Sequence, residues 1–190
     1  MSTKFYDEYC QRKLNIIKDF IEKTDSILDV GCGNPAETFC INEFKKYPKW
    51  VGIDLNPPKN EKRIIKGDIQ SIKTKKFDVV ICLDMLEHLK NLKTAIKKLC
   101  EITNKKLIII TPVTSSILFR KLLKVMKKIS GLNAFQGHYH EFLENEIIEI
   151  VSGLHCKKII YTEFPIVWLS KLLFRFNLLK SGIFIFEKNK

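Results

Sequence analysis

The chain has 190 residues, of which 45% are hydrophobic and 28% charged. This composition excludes a disordered or fibrous protein and is enough for one domain with a sizeable core. The formal net charge of +12 indicates an anionic partner or substrate, unless the lysines only keep the surface soluble.

The N-terminal 24 residues predict a helix. Apolar side chains recur at helical spacing between residues 5 and 23, and aromatic residues come just before them. The apolar set is Leu14, Ile17, Phe20 and Ile21, and the aromatic set is Phe5, Tyr6 and Tyr9.

A glycine turn follows the first predicted strand. Ile27–Val30 is a short apolar run with the composition of a buried strand, and Gly31 and Gly33 come directly after it. Pro35 suits the first position of a helix, which we place over residues 36–46. Strand, glycine turn and helix form the cofactor-binding corner of a doubly wound α/β fold, although an ordinary turn has the same pattern.

Carboxylates end the next two predicted strands. Trp50–Asp54 reads as a strand, and Asp54 lies 21 residues after Gly33, close to the spacing of an acid that accepts both hydroxyls of a ribose. Ile64 and Ile65 predict a third strand, which ends at Gly67-Asp68-Ile69. In an open parallel sheet, ligands bind at these carboxyl ends.

The remaining elements complete an alternating α/β pattern. The fourth apolar run is followed by Asp84, Glu87 and His88, and we expect Pro112 to stop the fifth strand. The predicted elements are strands 77–82, 106–112, 157–164 and 182–187 and helices 91–102 and 144–151.

Four motifs in this order resemble the class I S-adenosylmethionine-dependent methyltransferases. They are Asp29-x-Gly31-x-Gly33, Asp54, Asp68-Ile69, and Phe77-Asp78-Val79-Val80 with Leu86-Glu87-His88. The resemblance covers roughly residues 25–112. Gly31-Cys32-Gly33-Asn34-Pro35-Ala36 also fits the G-x-G-x-x-A pattern of dinucleotide-binding folds, but that pattern does not ask for a carboxylate at Asp29.

The resemblance implies one domain over residues 1–190, with a doubly wound, seven-stranded, mostly parallel sheet whose last strand is antiparallel. Residues 1–24 are then either a lid over the cofactor or a helix packed on the sheet. S-adenosylmethionine is the expected cofactor. The residues expected to bind it are Asp29, Gly31, Gly33, Asp54, Leu55, Asp68, Ile69, Cys82 and Asp84.

Histidines are the candidates for acceptor chemistry, since a neutral imidazole can remove a proton near pH 7. His138 and His140 lie in a loop that resembles the family's substrate-side loop, and either is the expected base, unless both only bond loop backbone. We expect His88 to cap or brace the helix that begins near Leu89.

We expect no metal. Asp84-x-x-Glu87-His88 with a distant His resembles the metal box of small-RNA 2′-O-methyltransferases and some quinone O-methyltransferases, but those have Glu in place of Asp84. The six cysteines form no C-x-x-C pair, which argues against a zinc site and indicates a reducing compartment.

Two segments exceed the minimal fold and are predicted as substrate-cap insertions at residues 114–135 and 165–181. Ser115–Ser130 is a basic amphipathic helix, and Ile166–Lys180 combines Trp, Phe and Leu with basic residues. Such helices cap a substrate, lie on an anionic membrane surface, or pack on each other. Nucleic acid is not expected as partner, because the aromatic residues are not interleaved with Lys and Arg.

The sequence therefore predicts a cytoplasmic methyltransferase, peripheral on the membrane if the insertions bind lipid, that acts on an oxygen of a small-molecule or lipid-like substrate. The alternatives are a non-catalytic partner or scaffold subunit, a nucleic-acid 2′-O-methyltransferase, and an NAD-binding protein. The sequence does not determine the oligomeric state.

Overall fold

The computed structural model describes residues 3–33, 42–57, 61–114, 116–121, 137–162 and 179–188. The elements in chain order are α1 (Thr3–Lys18), β1 (Ile27–Val30), β2 (Trp50–Asp54), β3 (Ile64–Lys66), β4 (Phe77–Leu83), a 3-10 helix (Leu86–His88), α2 (Leu92–Ile102), β5 (Thr103–Thr114), β6 (Phe142–Leu143), α3 (Glu144–Ile150), β7 (His155–Thr162) and β8 (Lys180–Glu187).

The strands form one sheet in the order β3-β2-β1-β4-β5-β8-β7, and β6 pairs with the end of β5. Strands β1 to β5 are mutually parallel, whereas β8 runs antiparallel to both β5 and β7. This topology confirms the predicted doubly wound α/β fold with an antiparallel last strand. The sequence did not predict β6, whose two residues give no periodic signal.

Both faces of the sheet are buried, which explains why its strands read as continuous apolar runs. Alternate residues of one strand point to opposite faces, so Leu107 and Ile109 lie in one hydrophobic cluster and Ile108 and Ile110 in the other. Helix α2 packs on the first face through Ala95, Ile96 and Leu99, and α1 packs on the second through Leu14 and Ile17.

The prediction that Pro112 stops β5 is wrong. The strand runs through Pro112 to Thr114, and Pro112 is in register with Ser181 of β8. The pairing of β5 with β4 has already ended at Ile110. At Pro112, β5 pairs with β8 but no longer with β4, so a missing backbone N–H is tolerated there.

Asn91 caps the N-terminus of α2, and its side-chain oxygen accepts from the backbone N–H of Thr94 at 3.3 Å.

No helix in the described ranges combines the length and apolar character needed to cross a bilayer. Several predictions lie outside the described residues: Pro35, most of the helix over 36–46, and most of the insertions at 114–135 and 165–181.

Candidate active site

A cleft of about 250 Å³ opens at the carboxyl ends of β1, β2 and β3, where the first three motifs converge. Its walls come from the glycine turn, from the residues after β2 and β3, and from the segment after β4. The lining residues are Val30, Gly31, Ile53, Asp54, Leu55, Asn56, Gly67, Asp68, Ile69, Met85, His88 and Leu89.

The glycine turn requires its first glycine. Gly31 has φ +76°, and a Cβ added there would lie 2.7 Å from Cγ of Met85. The backbone N–H of Gly31 donates to the carbonyl oxygen of Ile53 at 2.8 Å, which fixes the turn against the end of β2. A side chain at this position would therefore strain the backbone and fill the floor of the cleft.

Asp54, the last residue of β2, contacts the glycine turn with its carboxylate. Its Oδ2 accepts from the backbone N–H of Gly33 at 3.1 Å, and its Oδ1 accepts from that of Asn56 at 2.7 Å. A Cβ on Gly33 would lie 2.7 Å from the Asp54 side chain, so the second glycine makes this approach possible. An ionised carboxylate has about four lone-pair sites, so two further hydroxyls can bind to an already oriented group.

The third strand contributes one polar and one apolar wall. Asp68 lines the cleft, and its Oδ1 accepts from the backbone N–H of Gln70 at 2.9 Å. Ile69 is buried next to it in the sequence, whereas Leu55, which also lines the cleft, is 60% exposed. Leu55 therefore offers an apolar surface at the edge of the acid-lined cleft.

Four of the expected cofactor residues, Asp29, Gly33, Cys82 and Asp84, are not among the residues that line the cleft. Asp29 is buried within β1, in register with Gly52 and Ile81. Cys82 is fully buried in the core, where burial is the largest cause that raises the pKa of its thiol well above the usual value. Because the interior of the sheet surrounds this side chain, its thiol has no exposed surface in the structure.

Asp84 is another of these residues, and an ion pair holds it outside the cleft. It has φ +43°, and its Oδ2 is bound by Nζ of Lys13. The hydroxyl of Tyr9 lies 3.5 Å from the same oxygen and 3.2 Å from Oγ of Ser181. Sequence analysis missed Lys13, although Lys13 shares the buried face of α1 with Tyr9 and Ile17, where a lysine is unusual.

Glu87 is the most deeply buried carboxylate beside the cleft, with 1% of its surface exposed. Burial raises its pKa to about 8, and the negative charge of Asp84 adds to the shift. The Oγ1 of Thr111 donates to Oε2 of Glu87 at 3.0 Å. Neutral and charged forms of this group therefore lie close in free energy near physiological pH.

The backbone of Glu87 anchors the loop that carries the candidate bases. Its carbonyl oxygen accepts from the backbone N–H of Tyr139 at 2.7 Å and of His140 at 3.3 Å. Nδ1 of His88 lies 3.2 Å from the carbonyl oxygen of Gly137. His88 therefore braces this loop rather than the helix after Leu89, which is capped by Asn91.

His138 and His140 lie between the cleft and the end of β5. Both border a small recess with Thr114 and Leu179, and His140 also lines a cavity of about 360 Å³ with Arg120 and Glu146. Nε2 of His140 lies 2.8 Å from the carbonyl oxygen of Leu89. Because that partner is an acceptor, Nε2 carries the hydrogen and Nδ1 of neutral His140 holds the lone pair.

A family model described as "Methyltransferase domain" matches residues 3–154. No match to this chain was found among curated protein sequences.

Solved structures share the fold over nearly the whole chain. Magnesium protoporphyrin IX methyltransferase from Synechocystis PCC 6803, with bound S-adenosylhomocysteine, is 18% identical with a TM-score of 0.65, covering 97% of this chain and 84% of that one. The 1,6-didemethyltoxoflavin-N1-methyltransferase of Burkholderia thailandensis is 14% identical with a TM-score of 0.63, covering 95% and 78%. The N-methyltransferase NodS of Bradyrhizobium japonicum WM9 is 15% identical with a TM-score of 0.62, covering 98% and 88%.

Proposed function

Because the chain belongs to the methyltransferase domain family, we propose that it transfers the methyl group of S-adenosylmethionine to an oxygen of a small-molecule or lipid-like acceptor. The observation that carries the proposal is the convergence of Gly31, Asp54 and Asp68 on one cleft at the carboxyl edge of the sheet. Four similar structures have S-adenosylmethionine or S-adenosylhomocysteine bound, which supports this choice of cofactor.

The residues of the cleft fit the parts of this cofactor. Asp54 accepts hydrogen bonds from the ribose hydroxyls, and such bonds are strong because the acceptor is charged. Asp68 accepts from the exocyclic amine of the adenine, while Ile69 and Leu55 contact the ring faces. Gly31 and Gly33 let the methionyl part approach the backbone, and Asp29 supports the turn from within β1.

When bound, S-adenosylmethionine supplies a methyl group already activated by its sulfonium sulfur. The protein then has to align the acceptor, exclude water and remove one proton. His138 and His140 are the proposed bases, and Nδ1 of His140 is the lone-pair nitrogen of that side chain. The two histidines lie in the loop whose backbone is anchored on the carbonyl oxygen of Glu87.

The support for a lipid-like acceptor comes from residues 116–121, which are the part of the first predicted insertion that the structure describes. Ile117 and Leu118 are 56% and 78% exposed, and Lys121 close by in the sequence is exposed as well, whereas Arg120 pairs with Glu146. Exposed aliphatic side chains near an exposed lysine favour a lipid-like acceptor or an anionic bilayer surface.

Two measurements test the proposed activity. We expect isothermal titration calorimetry to detect binding of S-adenosylhomocysteine and none of NAD. We expect purified protein with S-adenosylmethionine to form S-adenosylhomocysteine only when an acceptor with a nucleophilic oxygen is present. Binding without turnover across a broad acceptor panel would favour the scaffold alternative, and binding of NAD alone would refute the proposal.

Liposome co-sedimentation tests the surface interaction separately. Reversal of Lys121 and Lys124 to Glu is expected to release the protein from anionic vesicles. The matched control reverses Lys93 and Lys97 on the exposed face of α2. Equal loss of vesicle binding in both variants would indicate that only the net charge matters and would contradict a specific membrane contact at the insertion.

A further inference from the structure

A second cavity opens between α2 and α3. Its volume of about 360 Å³ exceeds the cofactor cleft of about 250 Å³, and the two share none of the lining residues that the structure describes. Small-molecule sites in proteins usually measure roughly 300–1,000 Å³. We infer that this cavity is a binding site for a planar aromatic acid.

Aromatic rings give the cavity flat walls. The rings of His140 and Phe142 stack with their centroids 5.7 Å apart and 20° between their planes. Tyr139 adds a third ring, which is 56% exposed. Leu92 and Ile150 add aliphatic contacts and pack on the hydrophobic core beneath. Such walls favour a flat ligand, because stacked rings attract each other beyond the burial of apolar area.

Arg120 provides the contact for the acid group. Its Nη1 donates to Oε1 of Glu146 at 2.6 Å, and Oε2 of Glu146 accepts from the backbone N–H of Leu143 at 2.8 Å. Both oxygens of Glu146 are therefore engaged, and Arg120 neutralises its charge. A guanidinium has five N–H donors and stays charged, so Arg120 can also bind a carboxylate of the ligand.

The charges around the opening favour an anion on the Arg120 side. Nζ of Lys90 lies 5.7 Å from the centroid of the Tyr139 ring, and Lys121 follows Arg120 in the sequence. Both lysines are exposed, and such cations raise the local concentration of anions. Glu141 also lines the cavity and opposes this attraction, so the acid group of the ligand should point away from it.

His140 connects this cavity with the cofactor cleft. It lines the cavity, and its Nε2 donates to the carbonyl oxygen of Leu89, which lines the cleft. The identification of the aromatic acid as the methyl acceptor rests on the proposed methyl transfer. The acceptor would then be an aromatic hydroxy acid, with its hydroxyl towards His140 and its carboxylate towards Arg120.

Calorimetric titration of the full-length protein with 2-naphthoate tests the site. 2-Naphthol keeps the ring system without the acid, and decanoate keeps the acid without a ring. We expect one saturable site per chain that binds 2-naphthoate at least about tenfold more tightly than either comparison compound. Absence of saturable 2-naphthoate binding would overturn the site. Equal affinity for decanoate would overturn the planar ligand and favour a lipid-like one.

Arg120→Gln tests the acid contact. It should weaken 2-naphthoate binding at least about tenfold, the lower end for a hydrogen bond to a charged group, and leave 2-naphthol binding within about threefold. Lys121→Gln is the matched control, because it removes the same charge at an exposed position outside the cavity lining. Equal loss of 2-naphthoate affinity in the two variants would overturn the role of Arg120.

Ile150→Trp tests the position of the site. The larger side chain should fill the cavity and abolish binding of both naphthalene compounds, while circular dichroism checks the fold. Tyr139→Ala, at an exposed position, decides the result if Ile150→Trp does not fold, since it should weaken binding of both compounds. Unchanged affinity in the folded variants would place the ligand elsewhere and overturn the site.

S-adenosylhomocysteine titration of the same preparation separates the two proposals. Binding of 2-naphthoate without S-adenosylhomocysteine would retain the aromatic-acid site and reject the methyltransferase mechanism, and the reverse result would reject only this site. In turnover assays 2-naphthoate should compete with the acceptor. Competition with S-adenosylmethionine instead would reject the cavity as the acceptor site.

Discussion

Nζ of Lys13 in α1 pairs with Oδ2 of Asp84, which lies 71 residues later at the end of β4. Only 4% of the Lys13 side chain and 24% of the Asp84 side chain are exposed. The ammonium also lies 3.7 Å from the centroid of the Tyr9 ring. This buried contact ties α1 to the edge of the sheet where the candidate site lies.

Lys13→Met should destabilise the fold because it leaves the Asp84 carboxylate beside Glu87 without its cation. We expect a loss of about 3 kcal/mol in the free energy of unfolding, at the lower end for a broken buried pair since Asp84 is partly exposed. Urea unfolding measures this. The double variant Lys13→Met with Asp84→Asn should recover part of the loss.

Lys97→Met provides the control for that measurement. Lys97 is 79% exposed and lies 3.9 Å from Glu101. Its replacement should change stability by less than about 0.5 kcal/mol. Equal effects of the two lysine substitutions would show that burial of the Lys13 pair contributes nothing.

Asp54→Ala should weaken binding of S-adenosylhomocysteine by about 1.5–3 kcal/mol, the range for a hydrogen bond to a charged group. That corresponds to roughly 10- to 150-fold in Kd by calorimetry. Asp54→Asn keeps one acceptor oxygen and should lose less. Asp19→Ala, an exposed acid after α1, should bind normally. Unchanged affinity in Asp54→Ala would remove Asp54 from the cofactor site.

Gly31→Ala and Gly153→Ala separate backbone strain from steric overlap. Both glycines have positive φ, +76° and +79°, but an added Cβ meets Met85 at 2.7 Å in the first case and nothing within 4 Å in the second. Gly153→Ala should lower the free energy of unfolding by only the cost of a positive φ for alanine, about 1–2 kcal/mol. Gly31→Ala should lose more stability by urea unfolding and also bind S-adenosylhomocysteine more weakly. Equal losses in both variants would exclude the Met85 contact.

Asp78→Asn should show a pH-dependent loss of stability. Hydrogen bonds from Ser26, first from its backbone N–H at 2.9 Å, lower the pKa of Asp78, and Lys105 adds to the shift. The ionised form therefore stabilises the fold above about pH 4, and this stabilisation disappears as the pH falls through the lowered pKa.

We expect Asp78→Asn to cost about 1.5 kcal/mol near neutral pH. The difference from wild type should shrink as the pH falls below about 4 in urea titrations. Asp19→Asn, at an exposed position, should show no such change. A difference that stays constant with pH would show that the charge of Asp78 is irrelevant.

The sequence predicted the sheet, and it predicted that Gly31, Asp54 and Asp68 would meet at its carboxyl edge, because both features depend on local patterns. Strands buried on both faces, such as β4, read as apolar runs, and polar residues after them mark the carboxyl edge. Asp54 and Asp68 follow directly from strand ends, and Gly31 from the requirement for a turn. These features need no knowledge of how distant elements pack.

The surroundings of Asp84 and Glu87 depended on long-range packing that no local pattern encodes. The Lys13–Asp84 pair requires the orientation of α1 on the sheet, and the approach of His138 to within 4.8 Å of Glu87 requires a loop some 50 residues away to fold back. Pro112 was misread for the same reason. A local rule ended the strand, whereas pairing with β8 continues it.

Strand β8 lies between β5 and β7, although it follows both in the chain. During synthesis on a ribosome, β5 is therefore complete long before its antiparallel neighbour exists. Its run from Leu107 to Ile110 would face solvent along one edge for that whole interval, and such edges attract other unpaired strands. The nascent protein is thus most open to aggregation or chaperone capture until β8 emerges, and the final insertion of Ile183–Phe186 closes the core in one late step.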